Sequence, residues 1–108
     1  MNEDGCSGGE VFALRVLGHD MAPEFNDGEI IVIEPDGLVK DGAFVLAELD
    51  GGYTFRQLRR CAGGWVLRAL NPPHGKPADR PLPDLGAVRG VIIQKSVPGR
   101  RRLSKSYL

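Results

Sequence analysis

Turn signals interrupt this chain so often that no helix of ordinary length fits between them. Asp27-Gly28, Asp36-Gly37, Asp41-Gly42 and Asp50-Gly51-Gly52 follow one another through the first half, and glycine at such sites accepts the positive φ that tight turns demand. Between and beyond them lie short runs rich in β-branched, aromatic and aliphatic residues, at 11–17, 29–34, 44–50, 53–60, 65–70 and 88–97. Runs of this length and content read as strands, so six strands are expected, with 44–50 and 53–60 joined as a hairpin. Fifteen glycines and eight prolines in 108 residues stand well above the usual combined share of roughly 12%, which also argues for strands and turns.

Two segments read differently. Residues 21–25 are the only plausible helical turn: Asp20 stands where a short acceptor side chain caps a helix, and Pro23 falls in the first turn, where its missing N–H costs little. Residues 71–83 hold five prolines, which predicts an extended surface loop without regular structure. The expected organisation is an N-terminal arm at 1–10 with no periodicity, one folded domain at 11–98, and a basic, frayed tail at 99–108.

Composition narrows the function classes. No run approaches the roughly 18 apolar residues of a membrane-spanning helix, and the first ten residues lack the pattern of an export signal, so a cytoplasmic protein without membrane contact is expected. Two cysteines, Cys6 and Cys61, are too few for a disulfide framework and read as reduced thiols. The formal net charge is zero, but residues 1–50 carry twelve acidic and two basic side chains and residues 51–108 the reverse. The two halves either neutralise one another within the fold or leave opposed faces for a partner.

Gly18-His19-Asp20-Met21, followed by Asn26-Asp27-Gly28-Glu29 and an apolar strand, resembles the self-cleaving LexA/UmuD-type serine-lysine peptidase domain, whose pattern runs Gly-x-Ser-Met, a short turn, then Asp-Gly-acid. Lys40-Asp41-Gly42, the following strand, and Tyr53-Thr54-Phe55-Arg56-Gln57-Leu58 are similar to the segment that carries that family's lysine. Asn71-Pro72-Pro73-His74-Gly75 resembles its Asn-containing loop, and Val88-Arg89-Gly90-Val91 its closing strand. The resemblance spans about residues 12–97. It implies a mostly β fold of coiled, partly barrel-like sheets, like that of LexA and signal peptidases.

It also implies where the chemistry would sit, and there the sequence departs from the pattern. Asp20 stands at the serine position and Arg56 at the lysine position. In the family a neutral, buried lysine takes the proton of the serine hydroxyl, which attacks a peptide carbonyl. A guanidinium does not surrender its proton in a protein, and a carboxylate attacking an amide would leave a mixed anhydride. If the two positions touch as they do in the family, Asp20 and Arg56 form a charge-assisted hydrogen bond. The resemblance thus implies an inactive peptidase-type domain that serves as a binding or dimerisation module, in stress-response or transcriptional regulation, with Gly18, His19, Asp20, Met21 and Arg56 as the binding site.

The expected partner is a second copy of the chain, then a peptide or a related LexA-like protein. An active hydrolase with unorthodox groups is one alternative. Another is a nucleic-acid accessory role for Arg100, Arg101, Arg102 and Lys105, weakened by the lack of aromatic platforms in that basic run. No cofactor is implied, and no metal, because His19, His74 and the two cysteines have unrelated spacings. Adjacent residues on an extended segment point apart, so His19 and Asp20 do not form a catalytic pair. Cys61-Ala62-Gly63-Gly64 contains an Ala-Gly bond of the type some family members cut in themselves, but between two strands it reads as a tight turn. Ser7 in the arm has no fixed partner.

Overall fold

The computed structural model describes residues 9–108, so the expectations for Cys6, Ser7 and most of the arm lie outside the described residues. Eight strands form one open, mostly antiparallel sheet: β1 (Phe12–Arg15), β2 (Ile30–Glu34), β3 (Phe44–Leu49), β4 (Gly52–Cys61), β5 (Gly64–Arg68), β6 (Asp79–Leu82), β7 (Val88–Ser96) and β8 (Lys105–Ser106). Their order is β1-β2-β7-β3-β4-β5-β6, and β8 pairs with β7. The mostly β architecture expected from the sequence is the one observed, and each expected run carries a strand. Among the described residues no helix is long and apolar enough to cross a membrane.

Central strands β3 and β7 bury both faces. Val45 and Ala47 pack with Leu58, Leu67, Leu82 and Val91, while Leu46 and Ile92 pack with Val16, Met21, Phe25, Ile31 and Ile33. Successive side chains leave a strand on opposite sides, so an unbroken apolar run such as Phe44-Val45-Leu46-Ala47 supplies two cores at once. Strand β7 also passes very close to β2: a Cβ on Gly90 would stand 2.4 Å from the Ile33 side chain. Only glycine fits that crossing.

Three local expectations are corrected. The proline-rich segment 71–83 is not wholly irregular, because Asp79–Leu82 forms β6 against β5, with Pro81 opposite Val66. β6 is the last strand of the path, and an edge strand tolerates proline because one side of its backbone needs no ladder partner. Segment 21–25 does make a single helical turn, its Phe25 N–H donating to the Met21 carbonyl four residues back, but the carboxylate of Asp20 does not cap it and is tied to Arg56 instead. The other helical pieces are short 3-10 turns at Leu85–Ala87, capped by Asp84, and at Arg101–Leu103. The third correction is the tail. Its β8 adds to β7, Tyr107 N–H donates to the Ile93 carbonyl, and the Tyr107 ring packs against the first core, so the end of the chain is held and not frayed.

The charge division is met inside the fold. Asp20–Arg56, Glu24–Lys105, Glu29–Lys95, Asp41–Arg59, Glu48–Arg89 and Asp50–Arg80 each join an acid from residues 1–50 to a base from 51–108. Most of these pairs are exposed, and each contributes at most about 1 kcal/mol. Glu29 and Lys95 are the exception: both are buried.

Candidate functional site

The turn at 18–29 presents Asp20, and three sets of contacts hold it. At its start, Gly18 adopts φ +87 and donates its N–H to Asp27 Oδ1 at 2.7 Å, a conformation that favours glycine. Below, Met21 and Phe25 are 1% and 0% exposed and root the turn in the first core. From the side, Asn71 clamps it, its N–H donating to the Asp20 carbonyl at 2.8 Å and its Nδ2 to the His19 carbonyl at 2.9 Å. Asn71 belongs to the loop whose asparagine the sequence resemblance singled out.

Across from the turn, β4 presents Arg56. Its Nη2 donates to Asp20 Oδ2 at 3.0 Å and its Nη1 to the neighbouring Phe55 carbonyl at 2.8 Å. The expected contact between the two positions is present, with one guanidinium nitrogen on the carboxylate and the other on the backbone. The side chains keep 24% and 38% of their surface exposed, so the pair lies at the bottom of an open site and not in the core.

Two clefts meet at this pair. The larger, of about 580 Å³, runs past Leu49, Leu67, Pro73, Lys76 and Arg80. The smaller, of about 250 Å³, runs past Leu14, Leu17, Leu46 and Phe55. Asp20, Tyr53, Thr54 and Arg56 line both, so the two form one groove with the ion pair at its middle. Of the residues expected to form the site, Gly18, Asp20, Met21 and Arg56 line it, but Met21 is buried and serves as the floor. His19 lines neither cleft and contributes its carbonyl to Asn71.

The groove exposes a stretch of strand edge that no neighbouring strand among the described residues covers. Leu58 donates its N–H to the Ala43 carbonyl and accepts from the Gly42 N–H, so at Leu58 the backbone of β4 points toward the β3 side. In an antiparallel ladder this direction alternates residue by residue, which turns the backbone groups of Phe55 and Tyr53 the other way. On that side β5 accompanies β4 only from Gln57 to Cys61. Among the described residues the Tyr53 and Phe55 edge therefore opens on the groove without a partner strand, its Phe55 carbonyl accepting from the Arg56 side chain, and across the smaller cleft stands β1, the other end of the sheet path.

At its other end the same turn is fastened by Glu24, Lys95 and Tyr107, which the sequence reading did not single out, and by Lys105 of the basic tail. Glu24 Oε2 accepts from the Tyr107 hydroxyl at 2.5 Å and from Lys105 Nζ at 2.9 Å, and Lys95 Nζ donates to the Glu24 carbonyl. The Tyr107 bond, followed by Lys105, holds the Glu24 carboxyl below its ordinary value of 4.5 despite partial burial. Burial, then the Glu24 bond, pushes the Tyr107 phenol far above its ordinary 10. A depressed carboxyl stabilises the fold above its unfolded pKa, and this is lost as pH falls through the folded value. A raised phenol stabilises it below 10 and loses this as pH rises further. Tyr107→Phe is expected to cost about 1 kcal/mol at pH 7, with the difference from wild type shrinking both below pH 4 and above pH 10. Urea titrations at pH 3.5, 7 and 10.5 check this, and a constant difference across the three would refute it.

Among the described residues, no three His, Cys, Asp or Glu side chains gather as a metal site would require. A family model described as Peptidase S24-like matches residues 2–84. The match covers the turn, Arg56, Asn71 and strands β1 to β6, and ends before β7.

Proposed function

Because the chain belongs to the Peptidase S24-like family, we propose that it is a non-catalytic member whose groove holds an extended peptide. The observation that carries this reading is the 3.0 Å bond between Asp20 and Arg56, at the positions where the resemblance puts the serine and the lysine. Serine-lysine chemistry needs a neutral amine to take a proton and a hydroxyl to attack. A guanidinium stays protonated and cannot serve as the base, and here one of its nitrogens is already spent on the carboxylate. The pair is a structural tie between turn and strand, and the groove around it is kept open for binding. The Tyr53 and Phe55 edge, on which the Phe55 carbonyl accepts only from the Arg56 side chain, favours an extended ligand, since a strand laid along it would pair with the remaining backbone groups.

The test restores the chemistry. Wild-type protein and the Asp20→Ser/Arg56→Lys double variant are incubated at alkaline pH, alone and with a peptide panel, and read by mass spectrometry. Wild type is expected to leave itself and every peptide intact while the double variant cuts. Cleavage by wild type would overturn the reading. A homodimer is part of the proposal as an alternative arrangement of partners, and a sedimentation mass of one 11.7 kDa chain at high micromolar concentration would remove it.

A further inference from the structure

The two halves of the groove differ in chemistry, and that difference selects a ligand. On the β1 side the lining is aliphatic and aromatic, with Leu14, Leu17, Leu46 and Phe55 around the smaller cleft. Leu17 is 82% exposed and Leu14 39%, so apolar surface lies open there. On the other side the larger cleft is lined by charged groups that mostly cancel. Arg56 is tied to Asp20 and Arg80 to Asp50, and the lining Asp79 is tied to Arg68, which stands outside the cleft. Lys76 forms no ion pair among the described residues and is the lining cation of that half left without a partner, on an exposed loop between Gly75 and Pro77.

We infer that the groove selects an extended peptide segment with a bulky apolar side chain on the β1 side of the Asp20–Arg56 pair and a carboxylate side chain on the Lys76 side. This rests on the reading of the groove as a peptide site and adds its specificity. Backbone pairing along Tyr53 and Phe55 is indifferent to sequence, so discrimination falls to the two ends. An aliphatic side chain in the smaller cleft removes apolar surface from water on both partners. A carboxylate near Lys76 gains a partner that the groove does not itself supply, and a lysine there meets repulsion. Arg15 is the cation of the opposite half, and exchanging Lys76 separates the two, because an acid read by Arg15 would ignore that exchange.

Fluorescence anisotropy with capped, fluorescein-labelled hexapeptides tests this on the full chain. Each peptide carries leucine near one end and glutamate near the other, made in both orders, with companions in which glutamate becomes lysine or leucine becomes serine. One order of the leucine–glutamate peptide is expected to bind about fivefold tighter than its lysine companion at low salt, and about tenfold tighter than its serine companion. Lys76→Glu is expected to invert the preference between glutamate and lysine. Equal affinity for glutamate and lysine peptides, or a preference that survives Lys76→Glu, would overturn the inference and leave peptide binding standing. Absence of binding by every peptide at millimolar concentration would overturn both.

Discussion

Replacing Phe25 by alanine is expected to lower the unfolding free energy by about 3–5 kcal/mol, the range for deleting a fully buried aromatic side chain. Phe25 has no exposed surface. Its ring meets the edges of Phe44 and Phe55 at centroid distances of 4.9 and 5.1 Å, and lies 5.4 Å from Tyr107. These partners come from β3, β4 and the segment after β8, so alanine would leave a cavity bounded by three separate parts of the chain that cannot all collapse into it. Edge-to-face geometry adds to the area buried. Because a domain of this size is stable by roughly 5–15 kcal/mol, the variant should be close to unfolding at 37 °C. Urea titration at pH 7 measures it, with Phe25→Leu expected to lose about half as much. A loss below about 1 kcal/mol for alanine would contradict the packing described.

The second large effect concerns the buried pair. Lys95 Nζ stands 3.4 Å from Glu29 Oε1, with both side chains about one-tenth exposed. Glu29 also accepts from the Asn26 N–H and Nδ2, and Lys95 also donates to the Glu24 carbonyl. Lys95→Met removes the charge and keeps most of the stem. It strands a buried carboxylate and removes a donor from the Glu24 carbonyl, so a cost of about 3–5 kcal/mol is expected. A companion change of Glu29→Leu should recover at least half of that cost, because the penalty belongs to the uncompensated charge and not to the loss of the pair as such. A double-mutant cycle by chemical denaturation decides this. Losses that simply add would show that the two ions do not compensate one another.

Both residues secure the turn that presents Asp20, which bears on how the site is built. Phe25 holds the turn from below, and Glu24 and Glu29 fasten it to Lys95, Lys105 and Tyr107. The Asp20–Arg56 pair is thus partly exposed, while Phe25, Glu29 and Lys95, which help to fix its placement, are buried. Variants of Phe25 or Lys95 are expected to weaken peptide binding only in proportion to unfolding.

Strand positions were legible because β-branched runs and Asp-Gly turns are local signals. The contact between Asp20 and Arg56 was legible only through the resemblance, since the alternation along β4 says which residues share a face without saying what that face meets. β6 was missed because five prolines argue against a ladder, and the argument fails at a sheet edge. Tyr107 was missed because it follows three consecutive arginines, and nothing local marks one tyrosine in a basic stretch as a core residue.

The sequence by itself determined that this chain is a mostly β domain, that its punctuation is made by turns, and that its two halves carry opposite charge. These follow from backbone preference and counting, which depend on neighbours in the chain. Tertiary structure alone decided that the opposed charges meet as internal pairs and that the last residues close over the first core. It also decided that β4 leaves half an edge open beside the Asp20–Arg56 pair. Each of these joins groups distant along the chain, and such contacts form only when burial and hydrogen bonding across the whole fold exceed the cost of ordering the segments between them.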